Sequence, residues 1–235
     1  MTPADATVAP PPGRAREVLR RLRAQQGVFP RRPGLPPLDE LVATVLSQHT
    51  SDRNSERAFA SLRQRFPTWD DVLRAPAAMV ADAIRGGGIA DQKAVRIQRI
   101  LALIREREGR LDLARLEGLP DAQVTDYLLS LPGVGPKTAA CVLVFSMGRA
   151  AFPVDTHVHR VATRLGWVPP GTGADRAHDL LAALVPAGIR HELHLALVAH
   201  GRAVCQARRP RCEECPLREE CAYAIARPAR AGELA

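Results

Sequence analysis

Residues 121–148 read DAQVTDYLLSLPGVGPKTAACVLVFSMG, two short helical patterns on either side of a Leu-Pro-Gly-Val-Gly turn. Gly133 and Gly135 permit a tight reversal with positive φ, and Pro136 suits the first position of the second helix. Such a turn leaves backbone amides unpaired at the positive end of a helix, and glycines let an anion approach the main chain closely. A phosphate-binding hairpin is therefore predicted, with Gly133 and Gly135 as contact points.

Working outward, helical spacing recurs almost everywhere. Val18, Leu19 and Leu22 repeat through the Arg-rich REVLRRLRAQQ; VFPRRPGLPP, with five Pro or Gly in ten residues, is a connector. Leu41, Val42, Val45 and Leu46 form one apolar face, and Ala58, Phe59 and Leu62 another after the polar break SQHTSDRNSE. Pro67, Pro76 and Gly86–Gly88 punctuate further helices, among them one carrying Ile97, Ile100, Leu101 and Ile104. Period-two alternation is absent and aromatics are only 4%, so the predicted class is all-α. Residues 1–13 are Pro- and Ala-rich with little to bury, and are read as a disordered tail.

With 235 residues, 46% hydrophobic and 25% charged, the chain is sized for a genuine core without staples, and no apolar run approaches a bilayer span. No secretory signal is seen, so a reducing cytoplasm is expected, which excludes a disulfide scaffold. The net charge of +8 and a pI of 10.0 point to a polyphosphate partner, nucleic acid foremost. Of 33 basic residues only Lys93 and Lys137 are lysines. Arginine supplies charge but does not lose its proton or form an imine, so both lysines draw scrutiny.

Lys137 sits two residues after Gly135. A free amine with a pKa of about 10.4 is neutral about 0.04% of the time at pH 7, so a nucleophilic role requires desolvation in a closed cleft. Asp155, in VDTHVHR, follows 18 residues later; it suits the N-cap of the helix bearing Val158, Val161 and Leu165, with one oxygen left over for the same cleft. His157 and His159 fall on different faces of that helix, against a shared metal. Cys205, Cys212, Cys215 and Cys221 form C-x6-C-x2-C-x5-C, four soft ligands within 17 residues, which in a reducing compartment means metal, either zinc or iron–sulfur. Arg208, Arg209 and Arg211 lie on the loop between the first two and are read as a phosphate clamp. Cys141, alone on an apolar face, is read as core.

The hairpin resembles the helix-hairpin-helix element of DNA-binding proteins. LPGVGPKTA, then VDTHVHR, then HGR and the four cysteines, in that order, resemble the endonuclease III family of helix-hairpin-helix DNA glycosylases, over about Leu38 to Tyr223. The resemblance implies two all-α domains: a six-helix domain at residues 38–150 and a discontinuous cluster domain from residues 14–37 plus 151–235. It implies a [4Fe-4S] cluster on the four cysteines and duplex DNA containing damaged bases or abasic sites as partner. A monomer is expected, cytoplasmic and nucleoid-associated in a bacterium. The implied reaction flips a damaged base out of the stack. Lys137 then attacks the sugar C1′ while Asp155 assists, and β-elimination from the imine nicks the strand; oxidised pyrimidines are the family's usual substrates.

Three features depart from the family's pattern. Where relatives fill the vacated base position with a glutamine in Ser-Ala-Gln-Ala-Thr, this chain has Ser47, Gln48, His49, Thr50 and Ser51, with His49 in the glutamine's place. Gln48 stands one residue earlier, which on a helix turns a side chain by about 100°. Ile89 is the bulky candidate for a strand wedge, with Gly87 where another apolar residue often sits. Competing readings are a monofunctional adenine or mismatch glycosylase and a DNA-binding protein with weak or lost catalysis. The adenine-specific relatives carry a glutamate where Thr44 stands and lack the hairpin lysine.

Overall fold

The computed structural model describes residues 13–227. Of the stretch read as a tail, residues 1–12 lie outside the described residues, whereas Gly13 opens the first helix. The helices are α1 (Gly13–Gln26), α2 (Pro37–Ser47), α3 (Asp52–Arg65), α4 (Trp69–Arg74), α5 (Ala77–Ala83), α6 (Ala90–Glu108), α7 (Asp121–Leu129), α8 (Pro136–Cys141), α9 (Thr156–Arg164), α10 (Ala174–Leu184), α11 (Arg190–Ala203) and α12 (Ala222–Ile225). No strand occurs among the described residues, and the fold is all-α. No single helix among them is long and apolar enough to cross a membrane.

The chain forms two compact units, one from Pro33–Arg149 and the other from Met1–Arg32 with Ala150–Ala235. The first boundary falls five residues earlier than the sequence reading placed it. The cause is local: Ser146 Oγ donates to the Leu35 carbonyl at 2.6 Å, and a side chain at Gly34 would collide with the Phe145 carbonyl, so this piece of the connector belongs to the central unit. At the other end Arg149 donates to the Leu116, Glu117 and Leu119 carbonyls and to the Asp121 carboxylate, fixing the exit of the chain.

The central unit holds α2 to α8, one more than the six helices expected, because α4 and α5 are short separate turns of six and seven residues. Ile97, Ile100, Leu101 and Ile104 of α6 are fully buried, as are Leu41, Val42, Val45 and Leu46 of α2. The polar break after α2 is shorter than its composition implies. Ser51 caps α3 by accepting from the Asn54 amide, so residues 52–56 are already helical and only residues 48–51 link the two helices. Beyond Cys141, α8 continues through Val142–Ser146 as a π-type turn.

In the other unit, Val18, Leu19 and Leu22 of α1 share a core with Val158, Val161 and Leu165 of the α9 segment and with Leu193 and Leu197 of α11. Arg23 Nε bonds Glu192 at 2.7 Å, tying α1 to α11 at the edge of that core.

Candidate active site

Only one of the two hairpin glycines adopts the conformation the turn was expected to need twice. Gly133 has φ +73°, but Gly135 is extended at φ −104°, ψ 179°, because it is the N-cap of α8. Pro136 occupies the first turn of that helix. Lys137 follows it, half-buried rather than sealed away, while Thr138 beside it is buried.

Sequence reasoning missed Glu40, one turn before Thr44 on α2. Thr44 Oγ1 donates to Glu40 Oε1 at 3.2 Å. Burial raises the Glu40 carboxyl above its ordinary range, opposed by the Thr44 hydrogen bond and by the positive charge of Lys137. The signal lay one helical turn from position 44, where the comparison with adenine-specific relatives had looked for a carboxylate.

Gln48 and His49 part company. Gln48 Nε2 donates to the Gly133 carbonyl at 3.2 Å and to Thr138 Oγ1 at 3.4 Å, and its carbonyl accepts from Arg96 Nη1 at 2.8 Å. One end of its amide is thus spent on the hairpin and the other on α6. His49 is exposed and sits at φ +55°. Ile89, 44% exposed, occupies the left-handed region at φ 39°, ψ 44° as the N-cap of α6. His49 and Ile89 are the two non-glycine residues with positive φ among those described. For a β-branched residue this is a strained conformation.

In the other unit, Asp155 caps α9: its Oδ1 accepts from the Val158 amide at 2.7 Å. His157 Nδ1 lies 3.1 Å from Arg160 Nη2 and His159 Nε2 lies 2.9 Å from the Thr172 carbonyl, so the two imidazoles serve different partners.

All four cysteines of the C-terminal motif line one pocket. Among the described residues, no three His, Cys, Asp or Glu side chains converge closely enough to hold one metal ion. Four thiols around a common space are the donor set that a [4Fe-4S] cluster takes, one cysteine to each iron. Burial pushes the Cys215 thiol up to about 11 and raises Cys221 as well, so loading must displace protons from these sulfurs. Arg164, another residue missed in the sequence, donates to Cys205 Sγ at 3.2 Å and to the Gln206 and Ala207 carbonyls at 2.8 and 2.9 Å. Buried His200 places Nε2 3.6 Å from Cys215 Sγ, and burial lowers its pKa to about 4, so the ring is neutral. Cys141 is buried in the central unit.

The three loop arginines are not equivalent. Arg211 donates to the Ala203 carbonyl at 2.7 Å and pairs with Glu214 at 3.0 Å, which commits it to shaping the loop. Arg208 and Arg209 are exposed and have no ion pair among the described residues.

Comparison with known proteins agrees with this arrangement. Residues 42–187 match the profile of the HhH-GPD superfamily base excision DNA repair proteins, and residues 205–221, bounded by Cys205 and Cys221, match that of the iron–sulfur binding domain of endonuclease III. The chain is 36% identical over 210 residues to endonuclease III of Thermotoga maritima, covering 89% of this chain and 91% of that protein. It is 45% identical over 165 residues to an Arabidopsis thaliana protein named "Putative DNA glycosylase", covering 70% of this chain and 56% of that longer one. Among solved structures, a trapped endonuclease III–DNA covalent intermediate superposes with a TM-score of 0.78 at 27% identity, over 92% of this chain and 98% of that one. The protein carries the [4Fe-4S] cluster of that group. With its length, its hairpin and its cysteine spacing all accounted for, the chain belongs to the endonuclease III family of HhH-GPD base excision repair DNA glycosylases.

Proposed function

We propose that this glycosylase is bifunctional: a DNA N-glycosylase and AP lyase that acts as a monomer on duplex DNA and removes oxidised pyrimidines through a lysine Schiff base. The observation that carries the reading is the placement of Lys137, one of two lysines in a chain of 33 basic residues, in the first turn of the helix behind the hairpin. There the Gly133 turn can hold the phosphate backbone by its amides while the amine faces the sugar.

In this reading the target nucleotide is turned out of the stack, which exposes C1′. Lys137 Nζ forms a bond to C1′ as the bond from C1′ to the base breaks; the base leaves with the electron pair and takes up a proton. The Asp155 carboxylate offsets positive charge developing on the sugar. Loss of a proton from the amine and opening of the ring give the imine. Its protonated form acidifies C2′–H, and loss of that proton expels the 3′ phosphate, cutting the strand. The chain's residues for DNA contact are Gly133 and Gly135 at the hairpin, His49 and Ile89 at the duplex, Gln48 as a brace, and Arg208 and Arg209 on phosphates, with Arg211 shaping their loop. The cluster on Cys205, Cys212, Cys215 and Cys221 holds that loop and takes no part in the steps above.

Borohydride trapping on a duplex with an abasic site is the test. Wild type is expected to crosslink and Lys137→Gln is expected not to. Crosslinking by the variant, or none by wild type, overturns the mechanism, and a panel of duplexes with defined lesions then ranks substrates.

A further inference from the structure

Lys93 is the second lysine, and the reaction above makes no use of it. Its side chain is completely buried, 0% exposed, and no carboxylate among the described residues pairs with it. Nζ instead donates to the Leu46 carbonyl at 2.6 Å and to the Gly87 carbonyl at 2.8 Å. Burial, with the nearby positive charge of Arg96, lowers its pKa from the ordinary lysine value. A buried ammonium is costly unless it is fully used, so its two acceptors deserve a physical reason.

Leu46 belongs to the last turn of α2, where carbonyls lack intrahelical partners and the helix end is negative. The neighbouring carbonyls are already served, that of Thr44 by Ser47 Oγ at 2.8 Å and that of Val45 by the Gln48 amide at 3.3 Å. Lys93 completes this C-terminal cap, two residues before Gln48 and three before His49. Gly87 lies two residues before Ile89, and the Lys93 amide itself donates to the Ile89 carbonyl at 3.1 Å. The two segments also touch directly: a Cβ at Gly88 would sit 3.7 Å from the His49 carbonyl oxygen. One nitrogen thus ties the positive-φ segment of His49 to the strained segment of Ile89. Both bonds radiate from a single tetrahedral ammonium inside an enclosed site, which a planar guanidinium fork does not reproduce. The site thus suits lysine in a chain whose other basic residues, Lys137 aside, are arginine.

We propose that Lys93 is a positioning residue for DNA engagement, locking the Leu46 end of α2 to the Gly87 loop so that His49 and Ile89 enter the duplex in a preset register. The proposal rests on the reading of His49 and Ile89 as the duplex-entering pair. Its test is fluorescence anisotropy with a labelled duplex holding a tetrahydrofuran abasic analogue, and with its undamaged counterpart, at a temperature where circular dichroism shows every variant folded. Lys93→Met and Lys93→Arg are expected to weaken binding of the analogue duplex by about tenfold or more, with the undamaged duplex little affected. In a His49→Ala/Ile89→Ala background the further change Lys93→Met is expected to cost nothing, because Lys93 acts through those two residues. An undiminished loss in that background, or full affinity in Lys93→Met, overturns the clamp. No loss in His49→Ala/Ile89→Ala alone overturns the underlying reading and the clamp together. A crystal structure of wild type on the analogue duplex needs no variant: Nζ is expected to keep both carbonyls with His49 and Ile89 inside the duplex, and separation from either carbonyl overturns the proposal.

Discussion

Arg96 donates to the side-chain carbonyl of Gln48 at 2.8 Å, and Gln48 hands the contact on to the Gly133 carbonyl at 3.2 Å. This chain braces the hairpin from α6 through the loop after α2. Gln48→Ala is therefore expected to weaken undamaged and abasic-analogue duplexes alike, by about fivefold, the worth of about 1 kcal/mol of hydrogen bonding. His49→Ala is expected to weaken the analogue duplex selectively. Equilibrium titration of both duplexes separates a brace from a gap-filling side chain.

A side chain at Gly133 would be strained and would push Arg96 aside. At φ +73° a Cβ would lie 2.5 Å from Arg96 Nε, so Gly133→Ala strains the backbone and displaces the brace at once. A loss of about 1–3 kcal/mol is expected in chemical denaturation, together with weaker binding to any duplex. Gly135→Ala, extended and with open space around its Cβ position, is expected to fold with near-native stability.

Asp155 combines a cap with a proposed charge, and two substitutions part them. Asp155→Asn keeps an oxygen for the Val158 amide, so thermal stability is expected to stay close to wild type while borohydride trapping falls steeply. Asp155→Ala is expected to lose trapping and, in addition, about 1 kcal/mol of stability through the lost cap. Equal trapping by wild type and Asp155→Asn argues against a role for the charge.

The buried Glu40 has a pH signature. Its folded pKa is raised above the ordinary 4.5, so between the two values the folded protein holds a proton that the unfolded chain has already released. Stability from this group is present at low pH and is lost as pH rises from the unfolded value through the folded one. Glu40→Gln is expected to be more stable than wild type at pH 7, with the difference vanishing below about pH 4. Denaturant titrations across that range read the effect directly.

Much of this was legible from spacing. The α6 stripe at Ile97, Ile100, Leu101 and Ile104 needed only the helical period, and the cysteine motif needed only its gaps. Contacts that bring distant segments together were not legible. Nothing in the order of residues says that Lys93 reaches back 47 positions to Leu46, or that residues 33–37 side with the central unit. Gln48 and His49 are adjacent and both polar; only the positive φ of His49 and the Gly133 acceptor assign one to the outside and the other to the brace. Gly135 was misread because a glycine needed for a turn and a glycine serving as an N-cap look the same in sequence.

The loop arginines, read from sequence as three equal clamps, divide by their partners. Arg208→Ala and Arg209→Ala are each expected to reduce the slope of log affinity against log salt by about 1. Arg211→Ala, whose guanidinium is held by Ala203 and Glu214, is expected to leave the slope unchanged and to loosen the cysteine loop. Binding isotherms at several salt concentrations distinguish the two behaviours.

Ile89 sets durability against repair. Glycine or asparagine would relax φ 39°, so either replacement should harden the free protein to heat. The same exchange strips the bulky group that we propose enters the duplex. A screen for thermotolerance would select first the substitution that a screen for lesion removal would discard, and the two selections would pull this lineage in opposite directions at one residue.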